Sequence, residues 1–267
     1  MKNVLTIAGS DSSGGAGIQA DIKTMGALGV NGMSVITAIT AQNSLGVQNS
    51  FPLTSEIIEA QLDSLFSDIE IDAVKIGMVS DVNIIKSIRE KLVKYSAKNI
   101  VIDTVMVSKN GYHLLNLEAI GELKNLIAIS TLVTPNIPEA EILANMKIKN
   151  QDDIKKACIE ISKIGAKSVL IKGGHSGENS CTDTLYSENS FYHYTTPRLD
   201  IKNTHGTGCT LSSAITTFLA KGKSTPISVE LGKKYVTKAI ENSFDLGNGI
   251  GPLGHFVEIY KRLGIKY

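Results

Sequence analysis

The chain has 267 residues, 42% of them hydrophobic, enough to bury a large globular core. Its 27 basic and 26 acidic residues leave a formal charge of +1 with no block of either sign, so it carries no electrostatic footprint for nucleic acid or an anionic membrane. Its three cysteines, Cys158, Cys181 and Cys209, are odd in number and widely spaced, which fits neither a disulfide framework nor a zinc site and suits a reducing compartment. The stretch Met1 to Ile7 is too short for a secretory apolar region, and no apolar run of about eighteen residues occurs, so a soluble cytoplasmic protein is expected.

In chain order, short β-branched runs predict strands over 3–8, 34–40, 73–76, 100–102, 132–133 and 168–171. Between them, apolar residues at three- and four-residue intervals predict helices over 15–28, 55–67, 82–94, 117–125, 139–145 and 152–164. That alternation implies an α/β fold with a mostly parallel central sheet and helices on both faces. The pattern then changes to two strands, 182–186 and 191–195, around a polar turn at 187–190, which reads as a small antiparallel hairpin. Helices over 207–221 and 227–246 close the chain, followed by a glycine-rich tail at 247–252. With no linker, repeat or low-complexity segment, residues 1–267 are expected to form a single domain.

The candidate sites fall at the carboxyl ends of the predicted strands, where open parallel sheets bind ligands. After the first strand, the glycines at 9, 14, 15 and 17 miss the G-x-G-x-x-G spacing of dinucleotide-binding turns. Gly14 to Gly17 instead let backbone close over a small ligand. Asp21, early in the next helix, is either an acceptor for a ligand's alcohol or amino group or a surface residue favouring the helix dipole. Gln42 and Asn43 end the second strand with amides that suit a nitrogen heterocycle or simply cap the strand. Met78, after Lys75-Ile76-Gly77, is either a soft wall for a ring or a core residue.

Asp103 ends another strand, Lys172-Gly173-Gly174-His175 ends the sixth, and Thr134-Pro135-Asn136-Ile137-Pro138-Glu139 joins strand to helix. Asn136 and Glu139 suit the ordering of Mg²⁺ and its waters around a polyphosphate; equally, Asn136 caps the helix with Pro138 in its first turn. An acid, a base and glycines at successive strand ends fit phosphoryl transfer, and the absence of G-x-x-x-x-G-K-[ST] excludes a P-loop NTPase.

The turn Asn203-Thr204-His205-Gly206-Thr207-Gly208-Cys209-Thr210 runs straight into a helix of small and apolar residues. The first amides of a helix lack partners within it and carry the positive dipole end, so Gly206, Thr207, Gly208 and Cys209 can cradle an anion. A thiol there is expected to have a lowered pKa, making Cys209 a candidate thiolate. Taken alone, the turn reads more simply as an ordinary helix start with a buried cysteine, and His205, four residues before Cys209, is poor evidence of a thiol dyad.

Together, the segments 8–21, 37–43, 75–78, 103–107, 134–139, 172–175 and 203–210 resemble, in order, those of the ribokinase-like superfamily. Within it the chain is similar to the hydroxymethylpyrimidine/phosphomethylpyrimidine kinases of thiamine biosynthesis. The resemblance implies ATP-dependent phosphorylation of 4-amino-5-hydroxymethyl-2-methylpyrimidine and then of its monophosphate. It places Gly9, Asp21, Gln42, Met78 and Val105 around the aminopyrimidine, with Asp21 near the hydroxymethyl oxygen and Gln42 pairing with the ring edge. Asn136 and Glu139 would organise ATP and Mg²⁺, Glu139 through water, with Asp103 and Lys172 nearby. Gly206, Thr207, Gly208 and Cys209 would form the anion hole, and Cys209 stands where many ribokinase-like enzymes carry an aspartate base. The resemblance also implies a homodimer. Some members carry Glu where this chain has Gln42, so pyridoxal kinases with the cysteine turn are the nearest rival. A catalytically silent pyrimidine-binding protein is opposed by Asn136, Glu139 and the complete turn. The polar loops 44–52 and 176–181 are expected to cover the ligands.

Overall fold

Strand alternation sets the architecture of the computed structural model, which describes residues 1–106, 115, 117–173 and 180–265. The chain begins β1 (Asn3–Asp11), α1 (Gly17–Ala27), β2 (Asn31–Asn43), β3 (Gly46–Pro52) and α2 (Ser55–Phe66). It continues β4 (Ala73–Ile76), α3 (Val82–Lys94), β5 (Ile100–Ile102), a 3₁₀ turn (Leu117–Ala119), α4 (Ile120–Ile127), β6 (Leu132–Val133) and α5 (Ile137–Ala144). After α6 (Gln151–Ser162) come β7 (Ser168–Ile171), β8 (Ser180–Ser187), β9 (Ser190–Pro197), α7 (Thr207–Ala220), α8 (Thr225–Glu241) and α9 (Val257–Arg262).

Among the described residues the strands form one sheet in the order β3-β2-β1-β4-β5-β6-β7-β8-β9. The run from β2 to β7 is parallel, while β3 at one edge and β8 and β9 at the other pair antiparallel. β1 connects to β2 on one side and the chain returns to β4 on the other, so the strand order reverses between β1 and β4, where such sheets open a ligand crevice. The β8–β9 hairpin turns through Glu188 and Asn189, both in the left-handed region, as a two-residue turn requires.

One expectation fails here. Residues 46–52 are not a loop but the edge strand β3, whose Phe51 lies opposite Ile39 of β2. An edge strand buries little of either face, so its sequence lacks the apolar alternation that marks a strand. The short helix α9 was also unforeseen. Of the other expected features, Val107, Gly174, His175 and residues 176–179 of the expected loop lie outside the described residues, whereas Ser180 and Cys181, also expected in that loop, belong to β8.

One face of the sheet packs against α2 to α6, the other against α1, α7 and α8. In β5, Ile100 and Ile102 face the first layer and Val101 the second; in β7, Val169 and Ile171 face the first and Leu170 the second. Val101, Leu132 and Leu170 therefore line the α7 side. Two residues further along each chain, the same alternation delivers Asp103, Thr134 and Lys172 to that side, at the carboxyl edge.

Candidate active site

At that edge Lys172 Nζ donates to Asp103 Oδ1 at 2.8 Å, and Thr134 Oγ1 reaches the same oxygen at 3.3 Å. From α7, Ser212 Oγ donates to Asp103 Oδ2 at 3.3 Å. Burial opposes charge on both partners, but Lys172 and Lys75 hold Asp103 below the usual carboxylate range, while Asp103 and Glu139 hold Lys172 above the usual lysine value. The pair abuts the glycine turn. A Cβ on Gly208 would lie 3.3 Å from Asp103 Oδ2 and 3.6 Å from Lys172 Nζ.

Gly206 caps α7 in the left-handed conformation, at φ +81°, and no side chain caps the helix. The first intrahelical bond runs from the Thr210 amide to Gly206 O, so the amides of Thr207, Gly208 and Cys209 have no carbonyl one turn back. No acidic residue occupies this first turn. The turn is also locked against the β1–α1 loop: a Cβ on Gly206 would fall 1.8 Å from Gly15 O, and one on Gly17 would fall 2.3 Å from Gly9 O. Gly206, Thr207, Gly208 and Cys209 thus form a cradle of backbone donors facing the Asp103–Lys172 pair.

The thiol in that cradle departs from expectation. Burial pushes the Cys209 thiol up to about 11; Lys75 and the Gly17 amide favour the thiolate, but Asp21 and Asp103 oppose it. The helix-terminus argument counted the local amides but neither the burial of the thiol nor the two carboxylates brought in from α1 and β5. Nor is there a thiol dyad, because His205 turns away to Asp11.

Asp21 is not the surface residue that one reading allowed: its side chain is 0% exposed. Its Oδ2 accepts from Thr6 Oγ1 at 2.6 Å and from Lys75 Nζ at 2.8 Å, and its Oδ1 accepts from Ser213 Oγ at 2.6 Å. Lys75 is likewise 0% exposed. Burial works against its ammonium, but Asp21, Cys209 and Asp103 outweigh that and raise its pKa. This pair sits under the first turn of α7, since Ser213 follows Cys209 by one turn of the same helix face.

Asn136 and Glu139 form a complete capping box: Glu139 N donates to Asn136 Oδ1 and Asn136 N to Glu139 Oε2, both at 2.9 Å. Thr104 Oγ1 also donates to Oε2, at 2.9 Å, and Met106 N reaches Oε1 at 3.4 Å. Burial raises the Glu139 pKa, only partly offset by Lys172. Among the described residues no cluster of three acidic, histidine or cysteine side chains could enclose a metal. Glu139, which already accepts from Thr104, the Met106 amide and the Asn136 amide, could meet a Mg²⁺ only through water.

Gly9 and Met78 meet at the β1–β4 crevice, where a Cβ on Gly9 would lie 3.0 Å from Met78 Sδ. Met78 is half-buried, and its carbonyl accepts from Thr37 Oγ1 at 2.7 Å. Val105, also half-buried, follows Asp103 at the neighbouring strand end. Gln42 closes the opposite side, beside a group that sequence reasoning missed: His205 Nε2 lies 2.9 Å from Asp11 Oδ2 and 3.2 Å from the Gln42 amide. Asp11 also accepts from the Gly15 amide at 3.0 Å and the Ala16 amide at 2.7 Å. Burial opposes its charge, yet His205 and Ser13 bring its pKa down to about 2. No spacing rule joins residues 194 positions apart, so only the fold reveals the pair.

The phosphomethylpyrimidine kinase family model matches residues 11–254, a span containing every site element except Gly9. The chain belongs to the phosphomethylpyrimidine kinase family. It is 47% identical over 254 residues to the hydroxymethylpyrimidine/phosphomethylpyrimidine kinase of Bacillus subtilis, covering 94% of each chain. The crystal structure of a phosphomethylpyrimidine kinase from Clostridium difficile aligns with a TM-score of 0.81 at 51% identity, over 90% of this chain and 100% of that one. A pyridoxal kinase from Staphylococcus aureus, solved with AMP-PCP and pyridoxal, aligns with a TM-score of 0.89 at 37% identity, over 98% of this chain and 96% of that one. Members of the phosphomethylpyrimidine kinase family are phosphotransferases, and this chain is an enzyme of that class. Among the described residues no helix is long and apolar enough to cross a membrane.

Proposed function

We propose that this chain transfers the γ-phosphoryl group of ATP to the hydroxymethyl oxygen of 4-amino-5-hydroxymethyl-2-methylpyrimidine, and then phosphorylates the monophosphate to the diphosphate for thiamine biosynthesis. The observation that carries this reading is the uncapped first turn of α7 facing the Asp103–Lys172 pair, in a chain of this family. The amides of Gly206, Thr207, Gly208 and Cys209 bind the transferring group, whose charge spreads over its outer oxygens as the bonds exchange in line. Lys172 Nζ, the accessible cation at the strand ends, adds positive charge to the same place. Mg²⁺, when bound, would supply charge neutralisation on the polyphosphate, and Glu139 and Asn136 would hold its water shell.

On the acceptor side, Gly9, Met78 and Val105 wall the ring and Gln42 reads its edge. Asp21 supports the site from below by fixing Lys75. Cys209 acts as the base through its thiolate fraction, which is small at neutral pH and correspondingly basic. We read residues 1–267 as one catalytic domain, supported by the single continuous sheet, working in the cytoplasm as a homodimer. Ile39 and Phe51, paired across β2 and β3 and 51% and 55% exposed, offer an apolar patch for a second copy.

Similarity to the pyridoxal kinase favours a second substrate, pyridoxal. Mass-spectrometric assay with Mg-ATP and the pyrimidine alcohol, its monophosphate or pyridoxal tests both readings. Stepwise conversion of the pyrimidine to mono- and diphosphate is expected, and phosphorylation of pyridoxal alone would overturn the thiamine assignment.

A further inference from the structure

The Asp11–His205–Gln42 cluster contains two hydrogen-bond conflicts with a common solution. Asp11 is ionised and acts only as an acceptor, so the imidazole nitrogen 2.9 Å from its Oδ2 must carry a hydrogen. With the Gln42 amide nitrogen facing that same Nε2 at 3.2 Å, N–H would point at N–H. At the other end of the amide, Thr40 Oγ1 has one hydrogen but two acceptors, Ser10 O at 2.9 Å and Gln42 Oε1 at 3.2 Å.

Exchanging the two ends of the amide removes both conflicts, because amide oxygen and nitrogen share one outline and the network decides between them. His205 Nε2–H then serves Asp11 and the Gln42 oxygen, Gln42 N–H donates to Thr40 Oγ1, and Thr40 gives its hydrogen to Ser10 O. The ring cannot slide out of this arrangement. A Cβ on Gly15 would fall 2.3 Å from His205 Cδ2, so the Cδ2 edge of the imidazole abuts that glycine, while the His205 amide is tied to Gly251 O at 3.1 Å.

We propose that His205 is a positioning residue for substrate specificity: aimed by Asp11, it fixes the Gln42 amide with its oxygen toward the imidazole and its nitrogen toward Thr40. The inference rests on Gln42 reading the substrate ring. A locked amide leaves one N–H and one oxygen lone pair in a set order, complementary to a ring nitrogen beside an exocyclic amino group. A ring N–H beside a carbonyl presents the reverse order and is rejected. A freely turning amide accepts either. The loop carrying His205 is also the phosphate cradle, so the groups that read the ring and hold the phosphate are aligned by a single side chain.

The test is the ratio of kcat/KM for the 4-amino pyrimidine alcohol to that for its 4-oxo analogue, with Mg-ATP. In the unmodified enzyme the ratio is expected to be large; His205→Phe, which keeps a ring but loses the donor, lowers it at least about tenfold, and His205→Gln, whose amide N–H can replace Nε2–H, restores it. Thr40→Val releases the other end of the amide and is expected to lower the ratio in the same direction, which keeps the test available if His205→Phe does not fold. Gln42→Ala separates the two layers of the argument. If it abolishes the selectivity while His205→Phe and Thr40→Val leave the ratio unchanged, the positioning role is overturned and the Gln42 assignment stands. If Gln42→Ala itself leaves the ratio unchanged, Gln42 does not read the ring and the inference falls with that assignment.

Discussion

Lys75–Asp21 and Lys172–Asp103 are the same two residue types at the same N–O distance, 2.8 Å, and each aspartate takes a hydroxyl from neighbouring serines of α7. Their surroundings differ. The first pair is 0% exposed on both sides, whereas Lys172 keeps 18% of its side chain open at the strand ends. A sealed pair has its hydrogen bonds spent within the protein and serves to hold β4, α1 and α7 in register. A pair at the mouth can exchange part of its internal pairing for a ligand's charge. Burial, more than residue type, separates scaffold from chemistry here.

The comparison breaks most visibly at Lys75. Lys75→Met is expected to destabilise the protein by about 3–5 kcal/mol, read by denaturant titration, because it leaves Asp21 buried without its cation. Lys75→Met combined with Asp21→Leu should recover most of that loss. No recovery would mean that the pair does more than neutralise itself. Lys172→Met is expected to weigh on activity instead, lowering kcat/KM about a hundredfold or more through lost charge on the transferring group, with a smaller stability loss than Lys75→Met because Asp103, though buried, keeps Lys75, Thr134 and Ser212 beside it. A large stability loss there would erase the distinction between the pairs.

Cys209 stands between them and sharpens the contrast. With its thiol near 11, kcat should rise with pH through the alkaline range as the thiolate fraction grows, and Cys209→Ala should lower kcat by about 100-fold and abolish that rise, with KM little changed. An unchanged kcat would remove the thiol from the chemistry and leave its amide as the contribution.

The smallest effect concerns burial without a counter-charge. Burial, with Lys23 nearby, brings His255 down to about 4 from an ordinary 6.5, while its Nε2 pairs with Thr210 Oγ1 at 3.0 Å. Between those values the unfolded chain binds the proton that the folded ring refuses. Stability should therefore be full above pH 6.5 and fall as pH drops toward 4, by at most about 3 kcal/mol, in a pH series of denaturant titrations. His255→Gln should flatten that segment of the profile.

Much of the site was legible because strand parity is legible. The inward places of Val101, Leu132 and Leu170 predict those of Asp103, Thr134 and Lys172, and the capping box is written in Asn136 and Glu139. The sealed pair left a trace that residue-by-residue reading passes over. Asp21 lies three residues after Ile18 and four before Met25, on the buried face of α1, and Lys75 stands in a strand whose other residues are apolar. A charge on each of two apolar faces implies that they meet. Other features had no local signal. β3 is polar because it lies at an edge, the Cys209 thiol is set by burial first and then by carboxylates far away in the chain, and Asp11 and His205 become neighbours only through the fold.

The interlocked glycines have one further consequence. At Gly15, Gly17 and Gly206, backbone atoms and a ring occupy the volume where side chains ordinarily keep segments apart. The amides of the cradle are therefore already aligned before a phosphate arrives, and reorganisation of the binding groups adds little to the barrier. The same closeness makes these positions intolerant of even a methyl group, so the catalyst's readiness and its narrow evolutionary freedom at these three residues have one origin.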